Sequence, residues 1–171
     1  MGRQYEKGCG IMRGRKSFAE IGKYTAILLT LIYIIFLLTG MSGSNKPFED
    51  VAAPLQRALE NTELIEVNGQ GFRHTYGINP AELAGVMMFA SEFRLSAEEV
   101  LLIEARDSEQ VSELLQRIEE QLQDKRNRFG NHAPEEIHYI DNAQLTVRGN
   151  HIFLAIGPQA TEFRQIFVES L

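Results

Sequence analysis

The chain has 171 residues, of which 44% are hydrophobic and 23% charged, a balance that excludes a disordered polymer and a multi-span membrane protein. One cysteine excludes an internal disulfide framework and a cysteine-rich zinc module. A net charge of −6 without any tryptophan argues against a general nucleic-acid binder.

The average charge conceals two unlike parts. Residues 1–23 carry six bases against two acids, whereas residues 46–171 carry 11 bases against 21 acids. Between them, residues 24–41 form an uncharged run of 18 residues. As a helix it would extend about 27 Å, close to the roughly 30 Å hydrocarbon core of a bilayer. It is apolar on every face and follows a basic segment, so it is expected to cross the membrane once, with residues 1–23 as a cytoplasmic tail and the acidic part outside the cell. A cleaved signal peptide is the rival reading. The run exceeds the usual signal length of about 7–15 residues, although Gly40 and Ser42 allow cleavage after Ser42. Leu38-Thr39-Gly40 resembles the start of a lipoprotein processing site, but Met41 stands where the acylated cysteine would be required, and Cys9 lies before the run. Met12 opens a second basic lead and is an alternative translation start.

Residues 42–47 read as a polar, glycine-containing linker, and residues 48–171 as one extracytoplasmic domain. Phe48, Val51, Leu55 and Leu59 recur at helical spacing, with Pro54 expected in the first turn of that helix. Gly69 and Gly71 read as a turn, and Asn79-Pro80 as the opening of a short helix. Residues 85–93 and 99–105 read as two strands, the second apolar on both faces at its start. Asp107 with Gln110 is a capping pair for a long helix whose inner stripe is Val111, Leu114, Leu115, Ile118, Leu122 and Phe129, with Gly130 and Asn131 ending it. Glu113–Arg117 and Asp124–Arg128 are spaced as ion pairs on its wet side. Pro134 opens a further short helix, and Gly149-Asn150 is the tight turn of a hairpin between residues 145–148 and 151–156. Pro158, after Gly157, is expected to start a terminal helix with Phe163, Ile166 and Phe167 on its inner face. The order helix, two strands, helix, two strands, helix predicts an α+β domain with an antiparallel sheet and helices on a face.

Candidates for chemistry are few. His132, Glu135, Glu136 and His138 form the densest group of potential metal ligands; on a helix starting at Pro134, Glu135 and His138 share a face, with His132 as a third ligand for zinc. The competing reading is a solvated helix start with acids placed well in its first turn, and no HExxH spacing is present. Glu98-Glu99 and Glu119-Glu120 are adjacent pairs whose side chains diverge, so they read as solvated faces, as do Lys125, Arg126 and Arg128. His74 and His151 read as surface or half-buried histidines, and Gly69-Gln70-Gly71 lacks the third glycine of a nucleotide loop. No cofactor is expected.

Tyr76-Gly77-Ile78, the step from Ala97 to Leu101, the helix ending in Phe129, Pro134-Glu135 and the Gly149 hairpin together resemble the bacterial family known as domain of unknown function 4358. The likeness covers residues 48–157. It implies an envelope protein held by a membrane segment or lipid, and it transfers no catalytic residue. The sequence departs from that pattern at Met41, and at His132, where an aromatic residue is expected. The combined expectation is a non-catalytic binding or protein-interaction module of the cell envelope, with an envelope protein or cell-wall polymer as partner. The alternative is a small metal-assisted hydrolase using His132, Glu135 and His138.

Overall fold

The structure, a computed structural model, describes residues 46–171 except Asn131. The basic tail and the expected span at residues 24–41 lie outside the described residues. Among the described residues no helix is long and apolar enough to cross a membrane.

The elements are α1 (Phe48–Leu59), β1 (Leu64–Glu66), α2 (Gly69–Tyr76), a 3-10 turn (Pro80–Glu82), β2 (Gly85–Ser91), β3 (Glu99–Glu104), α3 (Ser108–Phe129), α4 (Pro134–Asp141), β4 (Gln144–Arg148), β5 (His151–Ile156) and α5 (Ala160–Ser170). The strands make one sheet in the order β1-β2-β3-β5-β4, antiparallel throughout. The α+β class with an antiparallel sheet is thus as expected from the sequence.

The arrangement of the helices is not. They cover both faces of the sheet rather than one. Side chains alternate along a strand, so Leu101 and Ile103 of β3 point with Ile152 and Leu154 of β5 toward Phe72, Leu114, Ile118 and Ile140 of α2, α3 and α4. Leu102, Phe153 and Ala155 point the other way, toward Val51, Leu55 and Leu59 of α1 and Phe163 and Phe167 of α5. This sandwiching accounts for the unbroken burial of β5, which an antiparallel strand with one wet face would not show. Phe153 and Phe167 stack with centroids 4.9 Å apart at the middle of the second layer.

Three local readings also change. α1 begins at Phe48, so Pro54 lies inside it; contacts of Val51, Ala52, Leu55 and Leu59 with the sheet hold the helix across the missing N–H. Gly69 and Gly71 open α2 instead of forming a turn, because Asn68 caps the helix by accepting from the Gly71 N–H at 2.9 Å. The terminal helix starts at Ala160 and not at Pro158. The long helix follows the sequence closely. Asp107 Oδ1 accepts from Gln110 N at 2.8 Å, Gln110 Oε1 accepts from Arg106 N at 2.8 Å, and Gln110 Nε2 donates to the Glu82 carbonyl at 2.9 Å. On the solvent side of α3, Arg117 meets Glu120 at 3.7 Å rather than Glu113.

Strand direction sets the two poles of the domain. The chain enters at Lys46, whose Nζ donates to the Ser170 carbonyl at the end of α5 (2.8 Å), and Phe48 packs against Gly85 at the start of β2. β2 then carries the chain about 20 Å to the opposite pole, where residues 92–98 turn back into β3.

Candidate functional site: a cleft floored by a buried ion pair

At the far pole three elements bring together residues distant in sequence. Tyr76 is the last residue of α2; Gly77, at φ 69°, ends the helix in the left-handed conformation that glycine adopts freely. The Tyr76 ring stacks on Phe72, with centroids 5.4 Å apart, and its hydroxyl donates to Glu99 Oε1. Glu99 opens β3 on the face packed by α2 and α3, opposite Ala90 and Ile156 in register. Its Oε2 accepts from Lys125 Nζ of α3 at 2.8 Å, and the same ammonium points to the Ala97 carbonyl at 3.4 Å. Burial, together with the charge of the Glu99 carboxylate and the hydrogen bond it accepts, pushes the pKa of the Tyr76 hydroxyl well above its usual value.

This corrects two sequence readings. Glu99 is 1% exposed and does not belong to a solvated pair, and Lys125 belongs to this ion pair and not to a free basic face. Neighbouring Glu98 precedes β3 and is half-buried. Partial burial, reinforced by Glu136 and Glu63, raises its carboxyl above the ordinary range.

Over the pair lies a cleft of about 340 Å³. It exists because α2 and the C-terminal turns of α3 leave the end of β2 uncovered. Its apolar wall is Val67, Met88, Ala90 and Phe129; Glu99 and Lys125 line it, and Arg94, Arg128, Glu92 and Glu98 surround it. The loop beside it exposes Phe93 (69%) and Leu95 (80%). Tyr76 does not line the cleft. The arrangement therefore offers a nearly buried cation, exposed charges and an apolar wall.

The expected metal ligands do not converge. His132 and Glu135 are exposed, His138 faces Asn142 with 3.3 Å between Nδ1 and Nδ2, and Glu136 Oε2 accepts from the Ala97 N–H at 2.6 Å. Among the described residues no three His, Cys, Asp or Glu side chains are placed to hold a metal ion. The helix at Pro134 forms as expected, but it directs Glu136 to the start of β3 and leaves Glu135 and His138 in solvent. His151, expected at the surface or half-buried, is 1% exposed. Neither of its ring nitrogens has a hydrogen-bond partner, and Nε2 lies 3.9 Å from Glu104 Oε1. Desolvation lowers its pKa, partly countered by Glu104.

Fold and site together define a small α+β domain, a helix-covered antiparallel sheet with a charged-floor cleft at one pole. Residues 57–157 match the family described as Domain of unknown function (DUF4358), and the chain belongs to that family. No curated protein and no solved structure matches it.

Proposed function

We propose that this chain is a single-pass, membrane-tethered protein of the bacterial cell envelope whose acidic domain is an extracytoplasmic binding module working through the cleft. The observation that carries this reading is the uncharged 18-residue run at 24–41, preceded by six bases and two acids. An acidic domain is held off an anionic lipid surface and left free to meet partners in the envelope. The makeup of the cleft supports binding. Its cation and apolar wall are arranged for recognition, while the hydroxyl most altered by its surroundings, Tyr76, is engaged by Glu99.

Fractionation of cells expressing the full-length chain, combined with thiol labelling of Cys9, tests the proposal. The chain is expected in the membrane pellet, with Cys9 protected in intact cells and labelled after lysis. Full-length product found only in the high-speed supernatant would overturn the tethering, and a mature N-terminus just after Ser42 would replace it with secretion.

A further inference from the structure

The floor of the cleft is built in a way the fold does not require. A lysine–glutamate pair out of water carries a desolvation cost that apolar side chains of similar size avoid. Yet the Lys125 and Glu99 side chains are 11% and 2% exposed. Glu99 is satisfied at both oxygens, by Tyr76 and by Lys125. The lysine is not saturated: an ammonium has three donors, and two are directed at Glu99 Oε2 and the Ala97 carbonyl. Its side chain lines the cleft, so the third donor is available to a bound acceptor.

We infer that the cleft receives the carboxylate end of an apolar peptide segment, the carboxylate meeting Lys125 Nζ between Arg94 and Arg128, and the terminal side chains lying on Val67, Met88, Ala90 and Phe129. The inference rests on the reading of the domain as a binding module and names what it binds. Size and charge select this chemistry. A volume of about 340 Å³ lies at the small end of the range for ligand sites, roughly 300–1,000 Å³, which suits a chain end better than a whole segment. The cations Arg94, Lys125 and Arg128 balance Glu92, Glu98 and Glu99 in the lining. The cleft is thus neutral in a domain with 11 bases and 21 acids, so a single negative charge meets less repulsion there than the domain's overall charge would impose. A doubly charged phosphate would confront Glu92 and Glu98 with twice the charge. Phe93, exposed beside the cleft, supplies a further apolar contact for the residues that precede the terminus.

The test uses the full-length chain in non-ionic detergent micelles, titrated with three probes: acetyl-Ala-Leu-Phe with a free carboxylate, the same peptide amidated, and 3-phenylpropionate. The acid peptide is expected to bind at least about tenfold more tightly than the amide, a difference of about 1.4 kcal/mol. Arg94→Gln and Arg128→Gln, both at exposed positions, should each weaken the acid peptide severalfold and leave the amide unchanged. Lys125→Met alone strands Glu99, so the informative variant is Lys125→Met/Glu99→Gln, which removes both charges and keeps an acceptor for Tyr76; it should reduce the preference for acid over amide more than either arginine variant does, and an unchanged preference overturns the inference. Equal binding of acid and amide, or no binding of the acid peptide, overturns the inference. Binding of 3-phenylpropionate as tight as that of the acid peptide also overturns it, because the site then reads a small acid and not a chain end. If the peptide fails while fractionation shows a tethered outer domain with a specific envelope partner, the binding-module reading stands without this ligand. Peptide binding by a chain found wholly in the supernatant would instead keep the ligand and remove the tether.

Discussion

Lys125 and Glu99 show how much a single buried contact decides. Removing one partner leaves the other charged and unsolvated, so Lys125→Met is expected to cost about 3–5 kcal/mol, read as a fall in the urea midpoint, with most of it recovered in Lys125→Met/Glu99→Gln. Tyr76→Phe deletes one donor to the same carboxylate and should cost about 1–3 kcal/mol. His151 presents the opposite case, a buried group with no partner for either nitrogen. Its cross-strand neighbours are Glu104 on β3 and Arg148 on β4. Burial lowers its pKa in the folded state, so as pH falls below about 6.5 the unfolded chain takes up a proton that the fold resists. Stability is therefore expected to be full above that pH and to decline on acidification until the folded-state pKa is reached. His151→Leu should flatten this decline in unfolding midpoints compared at pH 7.5 and pH 5.5. Neither the pair nor the histidine was legible in the sequence. Tyr76, Glu99 and Lys125 are separated by 23 and 26 positions, and nothing local distinguishes Glu98-Glu99 from a solvated pair such as Glu119-Glu120. The one available signal was the place of Glu99 at the head of an apolar strand.

Elements with strong local chemistry were readable, and those fixed by packing were not. Asp107 announces α3 because an N-cap satisfies orphan N–H groups wherever the helix sits. Asp107→Ala is expected to cost about 0.5–2 kcal/mol in thermal or urea unfolding. Gly149-Asn150 fixed the hairpin of β4 and β5 for a similar reason, since few residues accept such a turn. By contrast β1 is three residues long, and only pairing with β2 makes it a strand. α2 begins with two glycines of poor helix propensity and is held by the Asn68 cap and by Phe72 and Tyr76 in the core. Gly85 was legible only as the start of a strand, yet a Cβ there would run into the Phe48 ring. Gly85→Ala should therefore loosen α1 at a cost of about 1–3 kcal/mol, with faster amide exchange in residues 48–59 as the distinguishing readout.

For the described domain, the α+β class and the two hairpins, β2–β3 and β4–β5, followed from apolar patterning and turn residues, whereas β1, the β3–β5 pairing and helix coverage of both faces did not. The continuous apolar runs of β3 and β5 held the information: two hydrophobic faces require two covers. α5 supplies much of the second cover, and Phe167→Ala should cost about 3–5 kcal/mol by opening a cavity against Phe153. The candidate metal cluster was the weaker part of the sequence reading. Glu135 and His138 share a face of α4 by spacing, but the helix turns Ile140 and Glu136 inward and leaves that face to solvent, with no further ligand beside it among the described residues.

The direction of β2 has a practical corollary. Because Lys46 and Phe48 lie beside Ser170 and Gly85 while the cleft opens beyond Ser91, the first described residues and the cleft are at opposite poles of the domain. A fluorophore or affinity tag joined at exposed Glu169 would therefore leave the cleft unobstructed.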